Sequence, residues 1–306
     1  MIYTITLNPS LDYLMHVDSF ILGGTNRSKA EEIYVGGKGF NVSTILHRLG
    51  YETCAYGFIA GFSGKEIEAL LQKRGFANAL ITLPEGFSRI NVKMKGDKET
   101  EINGCGPYIS SSKLDELFHQ LGCLEDGDML VLSGSIPNCL DASIYEVILQ
   151  RLSHKQIRSV VDATGTLLLN VLPYHPFLIK PNQDELEDLF QVQITSEEAL
   201  IHYGKKLQDM GAKNVLISRA SKGALLLTED KHMYRCGIAK GEVKNSVGAG
   251  DSMVAGFLAG YLKHQNYQEA LRLGSAAGGA TAFSEDLGGQ DLIMELYETL
   301  QVEELL

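Results

Sequence analysis

Short apolar runs alternate along most of this chain with stretches whose apolar residues recur at helical spacing. Residues 2–7 read as a strand, 40–49 as a helix closed by Gly50, 53–59 as a strand and 64–74 as a helix closed by Gly75. The same grammar returns downstream. Residues 129–132 predict a short buried strand ending at Ser133-Gly134-Ser135, 142–152 a helix, 157–162 a strand and 167–171 a short helix. Residues 177–180 predict a strand running into Pro181-Asn182, 196–210 a helix and 214–218 a strand. Two apolar helices, 249–262 and 268–282, follow. Strands separated by helices of this length predict right-handed βαβ units and a mostly parallel sheet covered on both faces.

Two stretches break the alternation. Residues of about 11–34 hold no clear helix, and about 86–104 read as a hairpin: 88–95, a turn at 96–98, then 99–103. Both are expected to leave the main sheet and build a small second one. With no low-complexity linker and no internal repeat, residues 1–306 read as one α/β domain carrying a small β lid.

Composition narrows the function. A formal charge of −11 argues against a nucleic-acid partner, which needs a positive face, yet leaves room for a few local cations around one phosphate. No uncharged apolar run reaches the ~18 residues of a membrane span, and the start MIYTITLNPS lacks a signal peptide's basic flank. The expectation is a cytoplasmic protein. Five cysteines without a CxxC pair fit reduced thiols better than a zinc or redox site.

The sharpest chemical signal is Asn245-Ser246-Val247-Gly248-Ala249-Gly250-Asp251, between a strand-like segment and a long helix. Its glycines let backbone amides turn toward one point, and the helix start adds unpaired donors and a positive dipole end. Such a turn suits a phosphate whose charge builds during transfer. A carboxylate beside it, Asp251, has a natural task in accepting a proton from an attacking hydroxyl. A glycine-rich helix cap with an ordinary first-turn acid fits the same composition.

A second glycine turn, VGGKGFN at 35–41, also leads into a helix, with Lys38 as a mobile cation and Asn41 as donor and acceptor. Gly39 follows Lys38 where a Walker A loop has Ser or Thr, and neither turn completes the dinucleotide fingerprint. Asn182-Gln183-Asp184-Glu185 opens a helix after a buried strand; it suits a hydrated Mg²⁺, and equally a capping box. Residues 218–223, Ser-Arg-Ala-Ser-Lys-Gly, form a turn between strands that fits a nucleotide phosphate or plain solvent. Asp12, Arg27 and Arg89 taken singly read as surface residues.

Taken together, GGKGFN at 36–41, SGSIP at 133–137, KPNQDE at 180–185 and VGAGD at 247–251 resemble the ribokinase-like (PfkB) carbohydrate kinase family over essentially the whole chain. TLNPSLD at 6–12, SRINVK at 88–93 and TEINGCGP at 100–107 are similar to its 1-phosphofructokinase branch, while tagatose-6-phosphate kinases share the TLNPS start and the TEI…GP segment. The resemblance implies a three-layer α/β/α fold with a β lid, and ATP-dependent phosphorylation of fructose 1-phosphate at its C6 hydroxyl. A sugar-phosphate sensor on a retired kinase fold is the alternative of another class; the intact Asp251 speaks against it.

The resemblance also implies roles for individual residues. Asp251 becomes the base and Gly248, Ala249 and Gly250 the anion hole. Asp12, Gly37, Gly39 and Asn41, with Ser135 nearby, hold the sugar. Lys38, Arg27 and Arg89 hold the sugar phosphate, Arg27 from a partner subunit if the lids pair in a homodimer. Lys180, Asn182 and Glu185 organise Mg²⁺, through water at Glu185, and the ATP phosphates. Val247 and the turn Ser218, Arg219, Ser221, Lys222, Gly223 lie along the nucleotide, and Ser275, Gly278 and Gly279 border the adenine. Asn245-Ser246 replaces the Asp-Thr of many relatives, which puts monovalent-cation activation in doubt.

Overall fold

A computed structural model describes residues 1–305. The chain runs β1 (Ile2–Thr6), β2 (Ser10–His16), β3 (Ala30–Gly36), α1 (Lys38–Arg48), β4 (Thr53–Ala60), α2 (Gly61–Arg74), β5 (Ala77–Leu83), β6 (Arg89–Lys95) and β7 (Thr100–Ile102). It continues through α3 (Ser111–Leu121), β8 (Met129–Ser133), α4 (Ile144–Leu152), β9 (Arg158–Asp162), α5 (Gly165–Val171), β10 (Leu178–Ile179), α6 (Gln183–Phe190) and α7 (Glu197–Asp209). The last part holds β11 (Asn214–Ser218), β12 (Ala224–Leu227), β13 (Met233–Cys236), α8 (Ala249–His264), α9 (Tyr267–Ala282), α10 (Gln290–Thr299) and β14 (Val302–Leu305).

Ten strands form one sheet in the order β14-β13-β12-β11-β10-β9-β8-β1-β4-β5. From β5 to β11 every pairing is parallel; the last three strands add antiparallel. The central strands are largely buried because both faces are covered. Period-two alternation then sorts their side chains. Ile5, Leu130 and Leu132 join a core under α3 to α7, while Ile2, Met129 and Val131 join one under α1, α8, α9 and α10. The result is three layers. Chain order runs one way from β1 through β4 to β5 and the other way through β8 to β11. The crevice at the carboxyl ends of β1 and β8 therefore lies at a topological switch point, where open α/β sheets bind ligands.

The second sheet has four strands, β3-β2-β6-β7. Its register aligns Ser10 with Arg89, Asp12 with Asn91, Leu14 with Lys93 and His16 with Lys95. Ser10, Asp12, Arg89, Asn91, Lys93 and Lys95 all line the crevice, so this face is polar and basic. The opposite face carries Tyr13, Ile33, Val92 and Ile102 in one row.

The strand expected directly before Asn245 is absent. β13 ends at Cys236 and the chain then runs irregularly to Gly248. This stretch, GIAKGEVKNSVG, alternates too poorly to bury a face. It is tied down at its end instead, where the amides of Lys244 and Asn245 donate to the carbonyl of Ala282 at 2.8 and 3.2 Å.

Candidate active site

A cleft of about 1120 Å³ opens between the two sheets. Its floor is the carboxyl ends of the parallel strands: Thr6 of β1, Ser133 of β8, Asp162 of β9, Lys180 just after β10 and Ser218 of β11.

The turn before α8 forms one wall. Asn245 shapes it with both ends of its amide. Oδ1 accepts from the Val247 amide at 3.1 Å, and Nδ2 donates to the Glu285 carbonyl at 3.0 Å. Gly248 caps α8 with φ of 79°, the left-handed region. A Cβ there would stand 2.7 Å from Leu287 Cδ2, so strain and crowding together demand glycine. The first-turn amides of a helix have no acceptor within it, and Val247, Gly248, Ala249 and Gly250 all border the cleft. The Ala249 amide donates to the Ser246 carbonyl at 3.3 Å, and the start of α8 faces the cleft.

Asp251 sits in that first turn, only 6% exposed. Burial, reinforced by Asp162, pushes its carboxyl up to about 6 against the pull of Lys38, Asn41 and Lys180. Asn41 Nδ2 donates to Asp251 Oδ2 at 2.9 Å across 210 residues of chain. The two glycine turns thus face one another over a single cleft.

Asp162, 2% exposed, was not among the candidate residues. Lys38 Nζ donates to its Oδ2 at 3.0 Å, and Lys180 Nζ lies 3.3 Å from its Oδ1 as an ion pair without hydrogen-bond geometry. Burial works to raise this carboxyl, but Lys180 and Lys38 outweigh it and hold it below the ordinary value. Its position at the carboxyl end of a buried strand was the available sequence signal.

On the small sheet, Asp12 accepts from Ser10 Oγ at 2.7 Å and Asn91 Nδ2 at 2.8 Å, and pairs with Lys93 Nζ at 3.3 Å. Arg89 Nε donates to the Asn8 carbonyl at 2.9 Å. Asn91, Lys93 and Lys95 escaped the candidate set although they share Arg89's face at period two. Lys38 is on the floor with Asp162 rather than with these cations.

At the other end, Asn182 and Glu185 form a reciprocal capping box on α6, at 2.7 and 2.8 Å, while both border the cleft. Ser221, Lys222 and Gly223 border it. Arg219 borders it too, but its guanidinium is committed to Glu197. Ser275, Gly278 and Gly279 of α9, and Gly37 and Ser135, complete the lining.

Two candidates fall outside. Gly39 is buried behind the cleft, where a Cβ would meet Thr6 Oγ1 at 2.7 Å and the Ile5 carbonyl at 2.8 Å. It serves the close packing of α1 on β1. Arg27 is exposed on the irregular segment between β2 and β3 and does not border this chain's own cleft.

Among the described residues no three His, Cys, Asp or Glu side chains gather to hold a metal, and no helix is long and apolar enough to cross a membrane. Glu185 commits one carboxylate oxygen to its cap and borders the cleft. Such a donor set fits Mg²⁺ carried mainly by water and phosphate oxygens.

A wide cleft at the switch point, walled by a glycine turn that opens a helix and covered by a second sheet, goes with a ribokinase-like fold. The chain belongs to the pfkB family of carbohydrate kinases, whose family model matches residues 6–290. It is 46% identical to a 1-phosphofructokinase of Bacillus subtilis over 100% of both chains. It is 37% identical to a D-tagatose-1-phosphate kinase of Bacillus licheniformis, again over 100% of both. The structure of phosphofructokinase-2 from Escherichia coli in complex with substrates and products superposes with a TM-score of 0.90 at 27% identity, covering 97% of this chain and 98% of that one.

Proposed function

We propose that this chain transfers the γ-phosphoryl group of ATP to the C6 hydroxyl of fructose 1-phosphate, giving fructose 1,6-bisphosphate and ADP. The 46% end-to-end identity to the Bacillus subtilis enzyme carries this reading. Asp251 takes the C6 hydroxyl proton as the new O–P bond forms and the bond to ADP breaks. The turn Gly248 to Gly250 holds the transferred phosphoryl oxygens, with Lys38 and Lys180 beside it. Asp12 and Asn91 orient sugar hydroxyls. Arg89, Lys93 and Lys95 hold the 1-phosphate, and the small sheet acts as a lid that excludes water. The turn 218–223 and the small residues of α9 line the nucleotide's path. Glu185 would hold Mg²⁺ through water, and the ion supplies charge neutralisation on the ATP phosphates. The cytoplasm is the proposed location.

An acceptor panel at fixed MgATP tests the assignment by ADP release. Fructose 1-phosphate is expected to give the highest kcat/KM. The 37% identity to a tagatose-1-phosphate kinase favours D-tagatose 1-phosphate as the second reading. A preference for fructose 6-phosphate or tagatose 6-phosphate overturns the 1-phosphate assignment. Stabilisation by a phosphosugar with no ADP released turns the reading to a sensor.

We further propose a homodimer through the outer face of the lid. Ile33 and Ile102 are 55% and 61% exposed there, beside Tyr13 and Val92 in the same row. Arg27, free of its own cleft, would then reach the partner's. Sedimentation should show a dimer that Ile33→Glu with Ile102→Glu dissociates; a monomeric parent chain rules this out.

A further inference from the structure

Glu197, the first residue of α7, places one carboxylate between two arginines. Its Oε2 accepts from Arg219 Nη1 in the turn after β11, and its Oε1 accepts from Arg235 Nη1 of β13 at 3.1 Å. We propose that Glu197 is a positioning residue for the nucleotide, holding the turn 218–223, through Arg219, in the shape that receives ATP. The inference rests on the reading of that turn as part of the nucleotide's path.

Glu197 does not border the cleft, whereas Arg219, Ala220, Ser221, Lys222 and Gly223 all do. Whatever Glu197 does to a guest therefore passes through the turn. That turn is strained: Ala220 has φ of 45°, the left-handed region, without being glycine. Such a conformation persists only where its surroundings over-determine it. The turn closes on itself, from the Arg219 amide to the Gly223 carbonyl at 2.8 Å and from the Lys222 amide to the Arg219 carbonyl at 2.9 Å. From the floor, the Ser218 amide ties it to the Pro181 carbonyl at 3.1 Å. From α7, Glu197 grips the Arg219 side chain.

That side chain is 11% exposed, and its Nε is buried without a partner. Among the described residues Glu197 is the one carboxylate recorded on it. Glu197 is fixed in turn by Arg235, which Glu303 of β14 backs at 2.7 Å. Removing the Glu197 carboxylate leaves two guanidinium groups with no anion between them, one of them buried. An uncompensated buried charge is strongly unfavourable. Arg219 then turns toward water and pulls the strained backbone at Ala220 with it.

The test measures kcat and both KM values for the parent chain, Glu197→Ala, Arg219→Ala and the double variant, with ADP affinity by calorimetry. Each single variant should raise the KM for MgATP and the Kd for ADP about 10-fold, as a conformation held against strain is lost. The double variant should be no worse than either single one, since the two residues act as a unit. The KM for fructose 1-phosphate should stay within about two-fold, because lid and floor are untouched. A lower KM for MgATP in Glu197→Ala makes Arg219 a nucleotide ligand that Glu197 withholds, and overturns the proposal. A lower melting temperature with both KM values parental makes the pair a packing contact and overturns it too, as does an additive double variant. Should Glu197→Ala not fold by circular dichroism, Glu197→Gln, which keeps the shape, decides. Ser221→Asp tests the reading beneath. A carboxylate on a turn that holds a polyphosphate must weaken MgATP binding, so a parental KM there sinks the turn's assignment. A raised KM there with parental values in the Glu197 variants sinks only this inference.

Discussion

Asp251→Asn leaves a folded protein that still binds ATP and turns over ~10²–10⁴-fold more slowly. The carboxylate is buried at the first turn of α8, beside the amides proposed to hold the transferred phosphoryl group. No task of packing explains a charge there, since burial and Asp162 both work against its ionisation. The amide variant keeps the shape and still offers Asn41 an acceptor oxygen. It removes a desolvated charge and the repulsion from Asp162, so the melting temperature should hold or rise while turnover falls. That opposition is expected of a residue kept for chemistry at a cost in stability. The pH profile supplies the sign. A general base works when deprotonated, and this one is pushed up to about 6. In the parent chain kcat/KM is therefore expected to fall as pH drops below about 6, with a slope of one. Near-parental kcat in the variant, measured by coupled ADP release, would end the assignment of Asp251 as the base.

Much of this arrangement was legible in residue order. The runs at 129–132, 157–162 and 214–218 became β8, β9 and β11 because short β-branched and aliphatic runs bounded by turns have few alternatives in a parallel sheet. The two glycine turns were readable because positive φ and close approach leave a compositional trace. β5, with asparagine and alanines diluting its pattern, went unread, as did α3 and the antiparallel strands β13 and β14, while β12 was read only as the strand after the 218–223 turn. Charge partnership was the least legible. Nothing local to Asp162 announces that Lys38 and Lys180, from two other elements, converge on it. Nothing local to Arg219 announces that Glu197 has claimed it. Lys93 and Lys95 show the opposite failure. Their period-two relation to Arg89 was in plain view, but its meaning depended on which face of β6 meets the cleft.

Asp162→Asn should cause the largest loss of stability in the site. Lys180 is only 6% exposed and Lys38 is held with it against the same carboxylate. Neutralising that carboxylate leaves a buried ammonium short of a counter-charge, and breaking such a buried pair costs about 3–5 kcal/mol. For a chain of this size that corresponds to a fall of roughly 5–8 °C in melting temperature. Lys38, with a side chain 38% exposed, can turn to water and should contribute the smaller share. The remaining anion on the floor is Asp251. Relieved of Asp162's repulsion and pulled by both lysines, its pKa must fall, so the acid limb of kcat/KM moves down. Replacing Lys180 by Met in the Asp162→Asn background should restore part of the stability, because removing both members of a buried pair costs less than removing one. An unchanged melting temperature in Asp162→Asn, with the acid limb where it was, means that the two lysines are not held by this carboxylate in solution.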